Sequence, residues 1–285
     1  MATATRILRE RIVLIFDFDD TLGPSTTETL FERLDLDYEA FSKEVNQRQE
    51  EDYWQYALAK AEMLRIYSHK IESPVDRRAM EELAENYPLF PGADTFVRRL
   101  KQYAAGRDKD IKLEFVLLTA GFKTIPANTI IGDQFDRVYG GELIFNDEGL
   151  ILGAKRVITH VDKVHYVQQL QMGLDLKDPS ELEETYLDQD REDAYVPMSQ
   201  IIYVGDGASD MSAFQTVEKR GGIAIAIDPD GGEEWLGYEM MSPNRRVHNV
   251  AKADYTAGSE LYESLRLAVD RNIAEIQLLR HGIGE

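Results

Sequence analysis

Two aspartates that are two positions apart follow an apolar run near the amino terminus of the sequence. Asp17 comes directly after Ile12–Phe16, and Asp19 lies two residues further on. In an extended or turning segment this spacing brings both carboxylates near one small volume, where one can attack as a nucleophile while the other gives and takes a proton. Thr21 can brace the turn through its hydroxyl. Taken alone, the pattern is equally compatible with an acidic turn that follows a strand.

A second pair of aspartates lies in the glycine-rich run Gly205–Asp210, which also follows an apolar stretch. The glycines permit a tight turn, and Asp206 and Asp210 supply hard carboxylate oxygens, which suit Mg²⁺ better than zinc. Together with Asp17 they could share one ion. The alternative is that both aspartates only stabilise the turn. Because the pair follows an apolar run typical of a buried strand, we favour the metal site.

A threonine and a short glycine-containing loop follow the apolar run Phe115–Leu118. Hydrolysis of a phosphate ester through an aspartate nucleophile requires groups that neutralise charge on the transferring phosphoryl group. The hydroxyl of Thr119 and the backbone N–H groups of Ala120 and Gly121, in a loop that leads into a helix, can form such an anion cradle. Thr119 could instead serve only as the cap of the following helix.

A lysine should complete the neutralisation of a phosphoryl group. Lys163 opens a helical pattern ahead of the third apolar run, and we favour it for this role. Lys123 and Lys155 are the alternatives. The sequence does not decide among the three, because any single lysine is usually a solvated surface side chain.

These residues require elements that bring them together. Four apolar, β-branched runs predict the strands, namely residues 12–16, 115–118, 201–204 and 223–227. Helical stretches separate the runs, and this alternation is typical of a parallel α/β sheet. In such sheets, sites form outside the carboxyl ends of the strands. The four strand ends are therefore expected to converge on one site.

A long stretch between the first two strands has helical periodicity and no strand signal. Ser25 with Glu28 fits a capping box, and Ser73 with Pro74 fits the start of another helix. The aromatic residues of this stretch are expected to form its own core. We therefore predict a Rossmann-like parallel sheet core made of residues 1–23 and 89–285, with residues 24–88 as an inserted α-helical cap.

Two further segments interrupt the core. Residues 139–145 and 150–152 flank a turn and predict a β-hairpin. Residues 171–198 are strongly acidic and contain two prolines, which favours a mobile surface insertion.

Composition limits the classes of function. The 285-residue chain has 52 acidic and 32 basic residues and a formal net charge of −20, which repels nucleic acid and anionic membranes. It has no cysteine, which excludes a thiolate nucleophile, a disulfide framework and a cysteine zinc site. Neither a secretory signal nor a membrane-spanning run is evident, so the cytoplasm is the expected location.

Taken together and in order, these residues resemble the haloacid dehalogenase (HAD) superfamily. The four motifs of that superfamily are matched by DFDDT at 17–21, LLT at 117–119, Lys163, and GDGASD at 205–210. The resemblance implies an α/β hydrolase with a C1-type helical cap, Mg²⁺ as cofactor and a small phosphorylated substrate. The hairpin and the run VDKVHYVQQL are most similar to the phosphoserine-phosphatase branch, although Ser209 stands where that branch commonly has asparagine.

The resemblance also implies a role for each matched residue. Asp17 would be the nucleophile and a Mg²⁺ ligand, and Asp19 the general acid/base, with its backbone carbonyl on the ion. Thr119 and Lys163 would hold the phosphoryl group. The metal ligands would be completed by Asp206, with Asp210 as direct or water-mediated support.

Two other interpretations stay open. A phosphomutase or phosphotransferase would use the same aspartate but pass the phosphoryl group to a hydroxyl other than water. A non-catalytic binding protein of the same fold is a different class, and the retained Asp17 and Lys163 argue against it. The dehalogenases of the superfamily typically lack a carboxylate equivalent to Asp19, so the presence of Asp19 favours phosphate chemistry over dehalogenation. The sequence indicates neither the substrate nor the oligomeric state.

Overall fold

The computed structural model of the protein describes residues 9–70, 74–174, 194–207, 209–228 and 247–282. The strands of this part of the chain are β1 (Arg11–Phe16), β2 (Lys112–Phe122), β3 (Arg137–Phe145), β4 (Ile151–Arg156), β5 (Ile201–Gly205), β6 (Ile223–Ile227) and β7 (Asn249–Ala251). They form one sheet in the order β4-β3-β2-β1-β5-β6-β7. All neighbouring strands are parallel except β3 and β4, which are antiparallel. The predicted parallel α/β sheet is therefore confirmed, with β1 at its centre.

Helices cover both faces of this sheet. They are α1 (Thr26–Arg33), α2 (Tyr38–Glu51), α3 (Tyr56–Ser68), α4 (Arg77–Glu85), α5 (Phe96–Arg107), α6 (His160–Met172), α7 (Met211–Lys219) and α8 (Glu260–Gly282). The first four lie between β1 and α5 with no named strand between them, in the stretch that was predicted to be helical. Within the described ranges, no helix is both long enough and apolar enough to cross a bilayer.

Alternate side chains of β1 pack into two apolar clusters, one on each face of the sheet. Ile12 and Leu14 belong to the cluster that includes residues of α5 and α8, whereas Val13 and Ile15 belong to the cluster that includes residues of α6 and α7. Successive side chains of a strand point to opposite faces. Asp17 continues the series of Val13 and Ile15, which directs its carboxylate toward α6 and α7.

An aromatic cluster holds the first helices together. The ring centroid of Phe31 lies 4.5 Å from that of Phe41 and 5.1 Å from that of Tyr67. The expectation that aromatic residues form a core is right for these three. It is wrong for Trp54 and Tyr56, which are 38% and 46% exposed, because they lie in and just after the turn that joins α2 to α3.

Two predicted helix starts have different outcomes. Ser25 precedes α1, and its hydroxyl accepts a hydrogen bond of 3.4 Å from the backbone N–H of Glu28. The start predicted at Pro74 is wrong, because α4 begins at Arg77. Asp76 caps it instead, accepting a 2.7 Å bond from the N–H of Ala79. A carboxylate that directly precedes the helix binds the free N–H groups of its first turn. Ser73 lies outside the described residues.

The two interruptions of the core also differ. The predicted hairpin is present as β3 and β4, and Asn146 and Gly149 form its turn. The acidic segment is shorter than the predicted 171–198. Gln171 is a buried residue of α6, and Val196 and Met198 are buried in the cluster of α6 and α7. The apolar side chains at the carboxyl end of the predicted segment therefore belong to the core. Residues 175–193 lie outside the described part of the chain.

A buried carboxylate ties these elements together at the amino end of the sheet. Glu114 of β2 forms ion pairs with Arg11 at 2.8 Å and with Arg137 at 3.1 Å, and the hydroxyl of Tyr195 donates a hydrogen bond to it at 2.6 Å. The guanidinium of Arg11 also lies 3.8 Å from the centre of the Tyr195 ring. Glu114 thus joins β1, β2, β3 and the segment that leads into β5.

Replacing Glu114 by alanine should lower the free energy of unfolding by roughly 3 kcal/mol, because two arginines and a tyrosine hydroxyl lose a buried partner. Urea unfolding followed by circular dichroism measures the change. Glu82→Ala is the control, since it removes a carboxylate from an exposed pair with Arg78 at 2.7 Å and should cost less than about 0.5 kcal/mol. Equal losses in the two variants would contradict the role of Glu114.

Candidate active site

Asp17 is fixed at the centre of the carboxyl edge of the sheet. Its backbone N–H donates to the carbonyl of Val204 at 2.9 Å, which extends the pairing of β1 with β5 by one residue. Its Oδ1 accepts a 2.7 Å bond from the N–H of Phe18, and its Oδ2 accepts one of 2.7 Å from Lys163 Nζ. Asp17 is only 3% exposed. The backbone of two strands therefore positions this carboxylate.

Lys163 is fully buried and uses all three of its ammonium protons. Nζ lies 2.7 Å from Asp17 Oδ2, 2.7 Å from Asp210 Oδ1 and 2.8 Å from Ser209 Oγ. Burial lowers the pKa of Lys163, but the charges of Asp17 and Asp210 more than offset that effect, and the pKa rises above its ordinary value. The helix that carries it begins at His160, and Thr159 caps it in a capping box with Asp162.

The two alternative lysines are placed elsewhere. Lys123 Nζ lies 2.9 Å from Glu142 Oε1, and Lys155 Nζ lies 3.5 Å from Glu142 Oε2. Glu142 belongs to β3, so both lysines contact the hairpin arm of the sheet. Of the three lysines considered from the sequence, the structure therefore brings Lys163 to Asp17.

Three carboxylates meet at the ends of β1 and β5. Each of Asp17, Asp206 and Asp210 offers an oxygen, and these three oxygens lie within 4.8 Å of one another. Burial raises the pKa of Asp17 to about 7 against the opposing effect of Lys163, and burial together with the charge of Asp17 raises the pKa of Asp206 to about 8. The site therefore holds more negative charge than one ammonium group balances.

The residues of this cluster fit a divalent cation such as Mg²⁺. Oδ2 of the fully buried Asp210 has no hydrogen-bond partner among the described residues. A Cβ at Gly205 would lie only 2.2 Å from that oxygen, so the Asp210 carboxylate can take this position only because residue 205 has no side chain. Carboxylate oxygens are the preferred ligands of hard cations, and a cation would balance the excess charge.

Tyr203 is a residue of this site that the sequence reasoning missed. Its side chain is fully buried, and its hydroxyl donates to Asp210 Oδ1 at 2.6 Å, the oxygen that also binds Lys163. With Oδ1 bound twice, the orientation of Asp210 is fixed and Oδ2 is left for a cation. The available signal was a hydroxyl-bearing side chain within the apolar run 201–204 that precedes the glycine-rich turn.

Asp19 is held apart from the three carboxylates. Its Oδ1 accepts a 2.8 Å bond from the N–H of Thr26, and its Oδ2 accepts one of 3.3 Å from the Thr26 hydroxyl. Thr26 is the first residue of α1, and a helix amino terminus stabilises a carboxylate. Thr26 was also missed, since nothing in the sequence links it to Asp19. The Asp19 side chain lines an open cavity, where it can meet a bound molecule.

The predicted end of the second strand is wrong. Thr119 does not end β2, which continues through Ala120 and Gly121 to Phe122, because Phe122 pairs with Gly141 of β3 after an irregularity in the register. The three residues lie beyond the point where β1 stops, since Phe16 is already opposite Leu117. They therefore form a largely buried extension of the strand rather than a loop leading into a helix.

This strand end still brings polar groups to the site. The Thr119 hydroxyl accepts a 2.8 Å bond from the N–H of Gly121, so its own proton is available to a ligand. A Cβ at Gly121 would lie only 2.9 Å from Asp19 Oδ2, so a larger residue at this position would crowd the Asp19 carboxylate.

Thr21 does not brace its turn as expected, because its hydroxyl has no partner within the described ranges. The Tyr255 hydroxyl instead donates to the Thr21 carbonyl at 2.8 Å.

Comparison with protein-family models gives no match for this chain. One curated relative is a protein of Borreliella burgdorferi described only as uncharacterized. The alignment is 285 positions long, is 24% identical, and covers 89% of this chain and 95% of that protein.

Several solved structures match almost the whole chain. A phospho-aspartyl intermediate analogue of a phosphoserine phosphatase aligns with a TM-score of 0.56 at 15% identity, over 91% of this chain and 99% of that chain. A substrate-bound phosphoserine phosphatase complex aligns with a TM-score of 0.55 at 17% identity, over the same shares. The protein has the haloacid dehalogenase fold. A HAD family hydrolase from Salmonella enterica serovar Typhi also aligns, with a TM-score of 0.56 at 12% identity, over 86% of this chain and 67% of that chain.

The HAD fold explains why the four motifs converge. It places the ends of β1, β2 and β5 beside one another, as the strand order shows. Asp17 follows β1 and Asp206 follows β5. Thr119 lies in the part of β2 that extends beyond the end of β1. The convergence predicted from four strand ends is therefore present for three of them.

Replacing Tyr203 by phenylalanine should weaken Mg²⁺ binding about tenfold, because Asp210 loses one of the two bonds that orient it. The rise in melting temperature across a Mg²⁺ titration measures this without turnover. Tyr195→Phe is a matched control, since it removes another 2.6 Å bond from a tyrosine to a buried carboxylate but at the opposite end of the sheet. Equal Mg²⁺ affinity in wild type and Tyr203→Phe would contradict the role of Tyr203.

Proposed function

We propose that the protein is a Mg²⁺-dependent phosphomonoesterase that acts on a small phosphorylated metabolite through a phosphorylated Asp17. The observation that carries this proposal is one arrangement of charges. The Asp17 carboxylate lies in a buried group with Lys163, Asp206 and Asp210, while Asp19, two residues on, faces an open cavity. Ser209 also lines this cavity, and its hydroxyl lies 3.4 Å from Asp17 Oδ2, so the nucleophile lies next to the cavity that the proton donor lines.

In the first step, a carboxylate oxygen of Asp17 attacks phosphorus. A bond forms between that oxygen and phosphorus, the bond from phosphorus to the ester oxygen breaks, and protonated Asp19 donates its proton to the departing alkoxide. The product alcohol then leaves through the cavity that Asp19 lines. The bonds from Thr26 hold the Asp19 carboxyl at that cavity.

In the second step, water replaces Asp17 on phosphorus. Ionised Asp19 takes a proton from the water, the new bond from oxygen to phosphorus forms, and the bond from phosphorus to Asp17 breaks. Phosphate leaves, and Asp17 and Asp19 return to their starting states, with Asp19 protonated for the next cycle. Asp19 thus serves as the general acid in the first step and as the general base in the second.

The remaining residues stabilise charge on the transferring group. Lys163 can exchange its bond to Ser209 for one to a phosphoryl oxygen while it keeps Asp17 in place. The Thr119 hydroxyl can donate to a second oxygen. Bound Mg²⁺ would supply further positive charge beside Asp17, with Asp206 and Asp210 as its ligands. The net charge of −20 supports a small substrate over a nucleic acid partner.

The direct test is release of inorganic phosphate from 4-nitrophenyl phosphate with Mg²⁺ and with a chelator. Wild type should need the metal, and Asp17→Asn should lose more than about a thousandfold in kcat/KM, because an amide is not a nucleophile here. Asp20→Asn removes the same charge from the same turn and should retain most of the activity. Turnover without metal, or full activity in Asp17→Asn, would contradict the proposal.

The role of Asp19 has its own signature. Asp19→Asn should lose about 10²–10⁴-fold in kcat for alkyl phosphates, because an alkoxide needs a proton to leave. The loss in the rate of Asp17 attack on 4-nitrophenyl phosphate should be smaller, because 4-nitrophenolate leaves without one. A plot of rate against the pKa of the leaving group, made by stopped-flow and steady-state assays, measures the difference. An Asp19→Asn variant that cleaves alkyl esters as wild type does would exclude Asp19 as the acid.

A further inference from the structure

The cavity beside Asp19 is larger than a phosphoryl site needs. It has a volume of about 590 Å³ and lies between the turn of α2 and α3 on one side and the end of β2 and start of α6 on the other. Ser209 lines it as well, and the Ser209 hydroxyl lies 2.8 Å from Lys163 Nζ and 3.4 Å from Asp17 Oδ2. The cavity therefore begins at the reacting atoms and continues away from them.

The volume of the cavity indicates how large the alcohol part of the substrate is. At roughly 30 Å³ for each water molecule, the cavity has room for roughly 20 groups of that size. An alcohol as small as serine would fill only a fraction of it. Cavities of about 300–1,000 Å³ are typical of sites for larger organic molecules. The volume thus favours a bulky alcohol.

The two walls of the cavity differ in chemistry. The wall formed by the sheet and the start of α6 has Phe122, Val157, Ile158 and Val161 as its apolar side chains, with Thr159, His160 and Ser209 as polar ones. The wall formed by α2 and α3 is polar and carries Tyr56 and Lys60 together with two glutamines. An alcohol that fits both walls has an apolar body against the sheet side and a polar group toward the helices.

Lys60 is the charged group of the helical wall. It follows Tyr56 by four residues on α3, so both side chains lie on the same face of the helix and point into the cavity. No ion pair or hydrogen bond joins Lys60 to another described side chain, whereas Arg65 of the same helix pairs with Glu62 at 2.7 Å. Asp19 is the one carboxylate among the residues that line the cavity. In a chain with a net charge of −20, the far part of this cavity is thus locally basic.

We propose that the substrate is a phosphate ester of a bulky alcohol with an apolar body and a second anionic group, and that Lys60 binds that anion. This inference rests on the proposed phosphatase activity. The ester phosphorus lies at Asp17, the apolar body packs against Phe122 and Ile158, and the anion reaches Lys60 across the cavity. A charge-assisted hydrogen bond to an ammonium group then selects such substrates over neutral ones.

A pair of aryl esters tests this inference, namely phenyl phosphate and 4-carboxyphenyl phosphate, which differ by one distal carboxylate. The measured quantity is the ratio of kcat/KM for the carboxylated ester to kcat/KM for the neutral one. Wild type should show a ratio of about ten, the value expected from one charged hydrogen bond. Lys60→Ala should bring the ratio close to one, and Lys60→Arg should keep most of it.

Lys43→Ala is the matched control, because Lys43 is an exposed lysine of the neighbouring helix α2 that does not line this cavity. It should leave the ratio at the wild-type value. A wild-type ratio near one, or an unchanged ratio in Lys60→Ala, would overturn the inference even if both esters are hydrolysed.

The same experiment separates this inference from the proposed function. Absence of phosphate release from either ester would contradict the phosphatase activity. Calorimetric binding of the two esters to Asp17→Asn then tests Lys60 without turnover. Tighter binding of the carboxylated ester that is lost in the double variant Asp17→Asn with Lys60→Ala supports the role of Lys60, and equal binding overturns it.

Discussion

The bridge that Lys163 forms between Asp17 and Asp210 is the interaction on which the rest of the site depends. Its ammonium group is fully buried and lies 2.7 Å from an oxygen of each carboxylate. Removing a buried charge from such a group leaves its partners uncompensated in a medium of low dielectric constant. The sheet, α6 and the start of α7 must therefore meet at one point for the site to exist.

The fold supplies that meeting point through backbone geometry. Pairing of β1 with β5 places Asp17 beside Asp206, and the alternation of β1 directs Asp17 toward α6 and α7. One ammonium group does not balance three carboxylates, and the raised pKa values of Asp17 and Asp206 express that excess. The same excess makes the cluster suitable for a divalent cation, whose ligands would be oxygens that the protein has already gathered.

Much of this arrangement could be predicted from local patterns, because a buried parallel strand and the polar residue that ends it are both visible in the sequence. The position of Asp17 and the two aspartates after β5 followed from that rule. The end of β2 did not, since its extension to Phe122 depends on pairing with Gly141, which is distant in the chain. The choice of Lys163 over Lys123 was open for the same reason, and Tyr203 resembled an ordinary core residue until its hydroxyl was seen at Asp210.

The proposed function requires that Asp17 becomes phosphorylated during turnover. Mass spectrometry of acid-quenched Asp19→Asn with 4-nitrophenyl phosphate and Mg²⁺ can detect this phosphorylation, because Asp17 of this variant can still attack a substrate with a good leaving group, whereas the base that activates water is missing. One phosphoryl group per molecule should be found on the peptide that contains Asp17, and none when Asp17 is also replaced by asparagine. A phosphoryl group on another residue, or an unmodified Asp17 peptide while 4-nitrophenol is released, would contradict it.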